Sequence, residues 1–332
     1  MPRSVLGLDI GGANLKAAHT DGGARLLPFE LWKAPARLPA ALRALLEQMP
    51  ALDLLAVTMT GELCDCFETK RQGVEAILDA VTAVAGQAPV RVWRTDGRLV
   101  GIEEARRTPL LTAAANWLAL AIYAGRFAPE GPALLLDLGS TTTDIVPLLD
   151  GRPVPRGRTD AERLRCGELV YTGIRRTPVC ALVGDGVAAE LFATTLDVYL
   201  ALEYLPEDPL DRGTADGRPA TRAGAHARLA RMLGGDGETC PLEETRDLAR
   251  RAAQEQIARI RAGLKRVADA LPGPPRTVIV SGSGELVARE VVQGWQAATL
   301  VSLAEKLGPA VSQAACAYAL AVLAAEQAGE EG

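Results

Sequence analysis

The sequence predicts an α/β protein built from two related lobes that face each other across a central cleft. Three observations carry this. An apolar strand that ends in Asp–x–Gly and turns back into a second strand occurs twice, as SVLGLDIGGANLKAAH from residue 4 and as ALLLDLGSTTTDIVPLL from residue 133, which sets Asp9 and Asp137 in matching positions. Buried-type strands alternate with amphipathic stretches along the whole chain. Finally, 332 residues, 48% of them hydrophobic, make more core than one small domain uses.

Element by element, residues 4–10 and 14–19 read as strands joined by the tight GGA turn, and 24–32 completes a meander. Residues 37–48 have helical spacing, 52–60 is an apolar strand, 73–86 a helix and 89–95 a strand. The apolar run 110–127 reads as one buried helix. The PEGP segment at 129–132 marks a linker, dividing the chain into an N-terminal domain (1–129) and a C-terminal domain (130–332). The second half repeats the strand–turn–strand unit and adds helical stretches near 183–203, 219–233 and 242–271, a helical insertion around 183–271. The stretch 276–286 is a β-branched strand, a glycine turn and a helix start, and 309–328 is a closing Ala-rich helix suited to packing back on the first domain. The Pro-, Gly- and Asp-rich segment 205–222 reads as a surface loop or mobile flap.

Composition removes several function classes. A net charge of −5 and 4% aromatic residues give neither the basic field nor the stacking surface of a nucleic-acid binder. The N-terminus enters a strand with no signal-peptide h-region, and no apolar tract is long enough to span a bilayer, so no membrane partner and a cytoplasmic location are expected. Six cysteines without a C-x-x-C pair, and two histidines, argue against zinc. Nothing opposes a homodimer.

Three glycine turns carry the chemistry. In DIGGANLK, Gly11 and Gly12 permit positive φ and let backbone N–H groups approach an anion, Asn14 adds a donor, Lys16 a point charge, and Asp9 suits a hydrated Mg²⁺. In DLGSTTTD, Gly139, Ser140, Thr141 and Thr142 can cradle a second phosphate and Asp137 repeats the role of Asp9. In VSGSGE, the N–H groups of Ser281, Gly282, Ser283 and Gly284 suit a phosphate or a base edge.

This order of turns resembles the actin–hexokinase–Hsp70 superfamily, which implies two ribonuclease-H-like (actin-like ATPase) domains closing on a diphosphate. A narrower resemblance rests on VTMTGELCDCFETKRQGV (57–74), AAANWLA (113–119), RCGELVYTGIRRTPVCAL (165–182) and PEDPLDRGTADGRPATRAGAHARLARML (206–233). These stretches are similar to the hydantoinase/oxoprolinase-like family linked to tetrahydromethanopterin-dependent one-carbon transfer, whose archaeal members include methanofuran-biosynthesis synthases. That resemblance implies a transferase that condenses an (aminomethyl)furanmethyl diphosphate with the phenol of γ-glutamyltyramine or a tyrosine-derived analogue, releasing pyrophosphate, with Mg²⁺ and without ATP.

For such a reaction a carboxylate must take the phenol proton, because full ionisation of a phenol at pH 7 costs about 4 kcal/mol. Glu62 and Glu168 are the first candidates, with Asp65 and Glu68 behind them, and Lys16 counts as catalytic through the leaving group. Thr58, Thr60 and Asn116 are candidate substrate donors, and Arg165 and Arg175, among the arginines at 156–176, suit a glutamyl carboxylate. Asp208, Asp211 and Asp216 in the acidic loop either bind an ammonium or a metal, or cap turns. The alternative on the same cleft is an ATP-dependent small-molecule kinase; a nucleotide-sensing protein and a ring-opening amidohydrolase stand further off.

Overall fold

The computed structural model describes residues 4–295 and 299–330. In chain order the N-terminal half holds β1 (Val5–Ile10), β2 (Asn14–His19), β3 (Ala24–Pro28), α1 (Leu38–Leu46), β4 (Leu54–Met59), α2 (Lys70–Val84), β5 (Val90–Trp93), β6 (Leu99–Val100), α3 (Ile102–Arg107), α4 (Pro109–Thr112) and α5 (Asn116–Ala124). The second half holds β7 (Pro132–Leu138), β8 (Thr143–Leu149), β9 (Arg152–Pro153), α6 (Asp160–Cys166), β10 (Leu169–Val170), α7 (Val179–Val183), α8 (Thr195–Ala201), α9 (Arg222–Met232), α10 (Leu242–Ala268), β11 (Thr277–Ser281), α11 (Glu285–Val292), β12 (Thr299–Ser302), α12 (Leu303–Leu307), α13 (Pro309–Gln313) and α14 (Ala315–Glu330).

Two mixed sheets form, ordered β3-β2-β1-β4-β5-β6 and β10-β8-β7-β11-β12, with β9 also paired to β8. Each is built on one antiparallel hairpin, β1–β2 or β7–β8, extended by parallel strands. The alternation of side chains fixes five layers. Leu6, Leu8 and Ile10 of β1 point outward and pack with Leu42 and Leu45 of α1 and Ile77 and Val81 of α2. Leu134, Leu136 and Leu138 of β7 point the other way, toward Ile260 and Leu264 of α10 and Val287 and Val291 of α11. Between the sheets lies a shared middle layer of α5 and α14, packed on Val5, Leu54 and Ala56 from one sheet and Ala133, Leu135 and Val146 from the other.

The middle layer explains one glycine. A Cβ on Gly7 would stand 2.0 Å from the carbonyl oxygen of Ala317, so β1 and α14 touch backbone to backbone there. The Ala-rich composition of α14 serves the same close approach.

Several sequence expectations change. The run 110–127 is two helices, because Ala114 adopts φ +48° and redirects the chain. No helix runs through 183–203; Gly184 and Gly186, both at positive φ, stop α7 and a turn leads to α8. The closing helix breaks at Ala314 into α13 and α14, and the third strand stops at Pro28. Elements β6, α3 and β12 add short pieces that carry little periodicity. Residues 1–3, 296–298 and 331–332 of the two domain ranges lie outside the described residues. Among the described residues no helix is long and apolar enough to cross a membrane.

Candidate active site

The strand parity that builds the middle layer also builds the site. Val5, Gly7 and Asp9 share one face of β1, and Ala133, Leu135 and Asp137 share the corresponding face of β7, so both aspartates reach the mouth of the middle layer from opposite sheets. Their cross-strand partners are Lys16 and Asp144. The two turns close in the same way: Gly11 N–H donates to the Asn14 carbonyl (3.0 Å) and Gly139 N–H to the Thr142 carbonyl (2.9 Å). Neither Gly11, Gly12 nor Gly139 uses positive φ, contrary to the sequence expectation. At Gly12 the constraint is crowding: a Cβ there would lie 2.6 Å from Cys64 Sγ, so the thiol would have to shift. Asn14 Nδ2 donates to Ser140 Oγ (3.2 Å), joining the turns across the cleft.

The cluster is strongly electrostatic. Lys16 Nζ lies 4.0 Å from Asp9 Oδ2, and Asn116 Nδ2, at the start of α5, donates to the same oxygen at 3.4 Å. Asp144 accepts from Arg163 Nη1 (2.7 Å), and Arg163 stacks on Trp117 with its guanidinium carbon 4.1 Å from the ring centre. Ser281 donates to Asp137. Burial raises the pKa of Asp9, with Lys16 opposing it, and pushes Asp137 up to about 6. Burial also raises Asp144, against the pull of Arg163. For Lys16 burial works downward, but Asp9 and the further negative groups raise its pKa on balance. Cys316, at the start of α14, is held as a neutral thiol by burial and by Asp137 and Asp9.

Beside this cluster stand three buried oxygens with no hydrogen-bond partner: Asp9 Oδ1, Thr58 Oγ1 and Glu62 Oε2. Unsatisfied buried polar atoms mark a place where a ligand completes the network. Thr58 is the strand neighbour of Asp9 in β4. Glu62 follows β4 and is 1% exposed; Gly73 of α2 lies so close that a Cβ there would meet the Glu62 carbonyl oxygen at 2.2 Å. Burial pushes its carboxyl up to about 7, with Lys70 opposing and Asp160 and Asp9 assisting.

Three aspartates face two cations, Lys16 and Arg163, so the fully ionised cluster would repel a diphosphate. Asp9, with its partnerless oxygen, and Asp137 are the residues that could hold a hard, oxygen-seeking cation here. Among the described residues no three His, Cys, Asp or Glu side chains form a complete metal cage.

Other candidates fall elsewhere. Both Glu168 oxygens accept backbone amides, from Arg156 (2.6 Å) and Gly157 (3.2 Å), and its side chain lines a separate cavity of about 230 Å³ with Val154 and Leu271. It fastens the loop that precedes α6. Arg165 is exposed on α6, whereas Arg163 points inward. The sequence carried the signal: the Thr159–x–x–Glu162 capping box starts the helix at 160 and fixes which arginine is buried. Arg175 is committed to Asp211 (2.5 Å). Thr60 is exposed beside Gly11. Asp65 and Glu68 lie exposed on the loop leading to α2. In the third turn, Gly282 (φ +94°) and Gly284 press against Leu138, and Gly284 N–H donates to its carbonyl, so the turn is fastened to β7. The segment 205–222 is pinned, not loose: Asp216 pairs with the fully buried Arg228 (3.1 Å), Asp211 with Arg175, and Asp208 caps Leu210 N–H.

The comparisons with known proteins agree with this geometry. The hydantoinase/oxoprolinase family model matches residues 53–327. The chain is 32% identical, over 97% of its own length and 98% of the relative's, to the (4-{4-[2-(γ-L-glutamylamino)ethyl]phenoxymethyl}furan-2-yl)methanamine synthase of Methanocaldococcus jannaschii. Among solved structures, acetone carboxylase in its nucleotide-free form superposes with a TM-score of 0.56 at 12% identity, covering 97% of this chain and 70% of that one. The activator of the 2-hydroxyisocaproyl-CoA dehydratase from Clostridium difficile superposes with a TM-score of 0.50 at 12% identity, covering 99% and 98%. These likenesses show the fold, the actin-like arrangement of two domains. A full-length relative named a synthase makes the chain an enzyme, and it belongs to the hydantoinase/oxoprolinase family, on the branch that includes the methanofuran-biosynthesis synthase.

Proposed function

We propose that the protein joins a phenol to a furanmethyl diphosphate, forming an aryl ether and releasing pyrophosphate, in the assembly of a methanofuran-type cofactor. The relative's product contains a phenoxymethyl–furan bond, and the plainest disconnection of that bond gives a phenol and an activated furanmethyl carbon. The observation that carries the reading is the adjacency of an anion-and-cation site (Asp9, Lys16, Asp137) to Glu62, a buried carboxyl whose free oxygen titrates near neutrality.

In this mechanism Lys16 and the N–H groups of the two turns bind the diphosphate oxygens and stabilise their charge as the C–O bond breaks. A Mg²⁺ held by Asp9 and Asp137 would supply further neutralisation of the leaving group. The furan ring delocalises positive charge on the departing carbon. Glu62 takes the phenol proton as the phenol oxygen bonds to that carbon, so the proton ends on Glu62 and the electron pair of the broken bond leaves with pyrophosphate. Thr58, which has a free hydroxyl, orients a bound oxygen. Arg163 opposes the effect of burial on Asp144 and holds it in place.

The test is incubation with the furanmethyl diphosphate, γ-glutamyltyramine and Mg²⁺, with and without ATP. Ether and pyrophosphate without ATP support the transferase. Turnover that requires ATP and yields ADP would replace it with the kinase reading.

A further inference from the structure

The cleft mouth carries a second constellation that the chemistry above does not use. Trp32, on the loop after β3, faces Arg176 from the other domain, whose guanidinium carbon lies 4.1 Å from the ring centre. Such stacking occupies the guanidinium face and leaves its edge N–H groups free to fork a carboxylate. Among the described residues Arg176 lies within 4 Å of no carboxylate, in contrast to Arg175, which is paired with Asp211. Asp65, exposed on the loop after β4, likewise has no cation within 4 Å among the described residues. Tyr171, 62% exposed, stands among these groups: partial burial raises its hydroxyl pKa, Asp160 and, more weakly, Asp65 push the same way, and Arg176 opposes.

The constellation is registered against the diphosphate turn. The backbone N–H groups of Arg175 and Arg176 both donate to the Ser140 carbonyl (3.1 Å each), and a Cβ on Gly173 would meet the Ser140 carbonyl carbon at 2.5 Å. A molecule held by Arg176 therefore sits at a set distance from whatever Ser140 and Asn14 bind. The mouth offers one unpaired cation, one unpaired anion and two aromatic faces.

We propose that Arg176, Asp65, Trp32 and Tyr171 form the acceptor-recognition site and take the α-amino-acid head of the acceptor, carboxylate on Arg176 and ammonium on Asp65, with its hydrocarbon against the two rings. This rests on the transferase reading. It makes the enzyme select acceptors that carry a zwitterion over simple phenolic amines, and it makes Arg176 and Asp65 binding residues rather than catalytic ones.

The experiment compares γ-glutamyltyramine with tyramine, by steady-state ether formation and by calorimetric binding, for wild type, Arg176→Ala, Arg176→Lys and Asp65→Asn. Each substitution is exposed, and thermal melts confirm that the variants fold. The expected result is a rise of about 10- to 100-fold in KM and Kd for γ-glutamyltyramine in Arg176→Ala, partly restored in Arg176→Lys, with kcat and all tyramine parameters within about threefold of wild type. Asp65→Asn raises the same KM by a smaller factor. Equal losses on both acceptors, or no loss on either, overturn the proposal while wild-type ether formation keeps the transferase reading. Arg176-dependent binding of γ-glutamyltyramine without ether formation does the reverse. A wild-type protein that neither binds nor converts it overturns both.

Discussion

Replacing Glu62 by Gln separates the stability of this fold from its chemistry. Glu62 is 1% exposed, one carboxyl oxygen has no partner, and burial moves its pKa from 4.5 to about 7. An acid with a higher pKa folded than unfolded holds its proton more tightly in the folded state. Between pH 4.5 and 7 the folded chain therefore carries more protons than the unfolded one, and stability falls as pH rises through that window. Integrating the linkage for this one group from pH 5 to pH 8 gives a loss of about 2–3 kcal/mol in wild type that Gln cannot share. The stability difference, Glu62→Gln minus wild type, should thus grow by about 2–3 kcal/mol between pH 5 and pH 8, read from urea denaturation at both pH values. Ether formation should meanwhile drop by about 10² to 10⁴ in kcat. A stability difference that does not change with pH would refute the burial argument. A variant that retains wild-type turnover would remove Glu62 as the base.

Four further outcomes follow from the same geometry. Wild-type kcat/KM should rise with pH to a plateau above about 7, as Glu62 loses its proton, and the limb should vanish in Glu62→Gln; a flat wild-type profile contradicts this. Asp9→Asn and Asp137→Asn should each abolish pyrophosphate release without lowering the melting temperature, because both carboxyls are destabilised by burial; near-normal turnover in both would sink the cation–diphosphate site. Gly7→Ala should cost about 3 kcal/mol in denaturant unfolding, since its Cβ collides with the Ala317 backbone, and a loss under about 0.5 would show that α14 can move away. Arg163→Met should cost about 3–5 kcal/mol by leaving Asp144 buried without its partner, with Arg163→Lys intermediate because it keeps the charge and loses the fit on Trp117.

Much of this molecule is legible in its sequence because strand periodicity carries both core and site. The alternation that buries Leu6, Leu8 and Ile10 on one side necessarily sends Asp9 to the other, and the duplicated hairpin places Asp137 opposite it. The parts that escape reading are set by long-range packing. Ala114 turns at φ +48° with neither Gly nor Pro to announce it, so a helix break inside an apolar run was invisible. Gly184 and Gly186 did announce the end of α7, but helical spacing beyond them obscured the signal. Acidic residues could not be sorted by type alone. Glu62 and Glu168 are both buried, yet two backbone amides from the loop before α6 occupy Glu168 and none reach Glu62 Oε2. The arginines were ambiguous for the same reason: Arg163, Arg165, Arg175 and Arg176 differ through partners on Asp144, solvent, Asp211 and Trp32.

The backbone contact between Gly7 and Ala317 has a consequence for how the protein is made. β1 is translated well before α14, the helix that covers the inner face of its sheet. At about 5–20 residues per second, roughly 300 residues of synthesis separate β1 from α14, an interval of about 15–60 s during which Val5, Leu54 and Ala56 lack their cover. The nascent first lobe therefore carries an open apolar face until α14 emerges, and the candidate site, which Cys316 adjoins, can close only after that helix has been made.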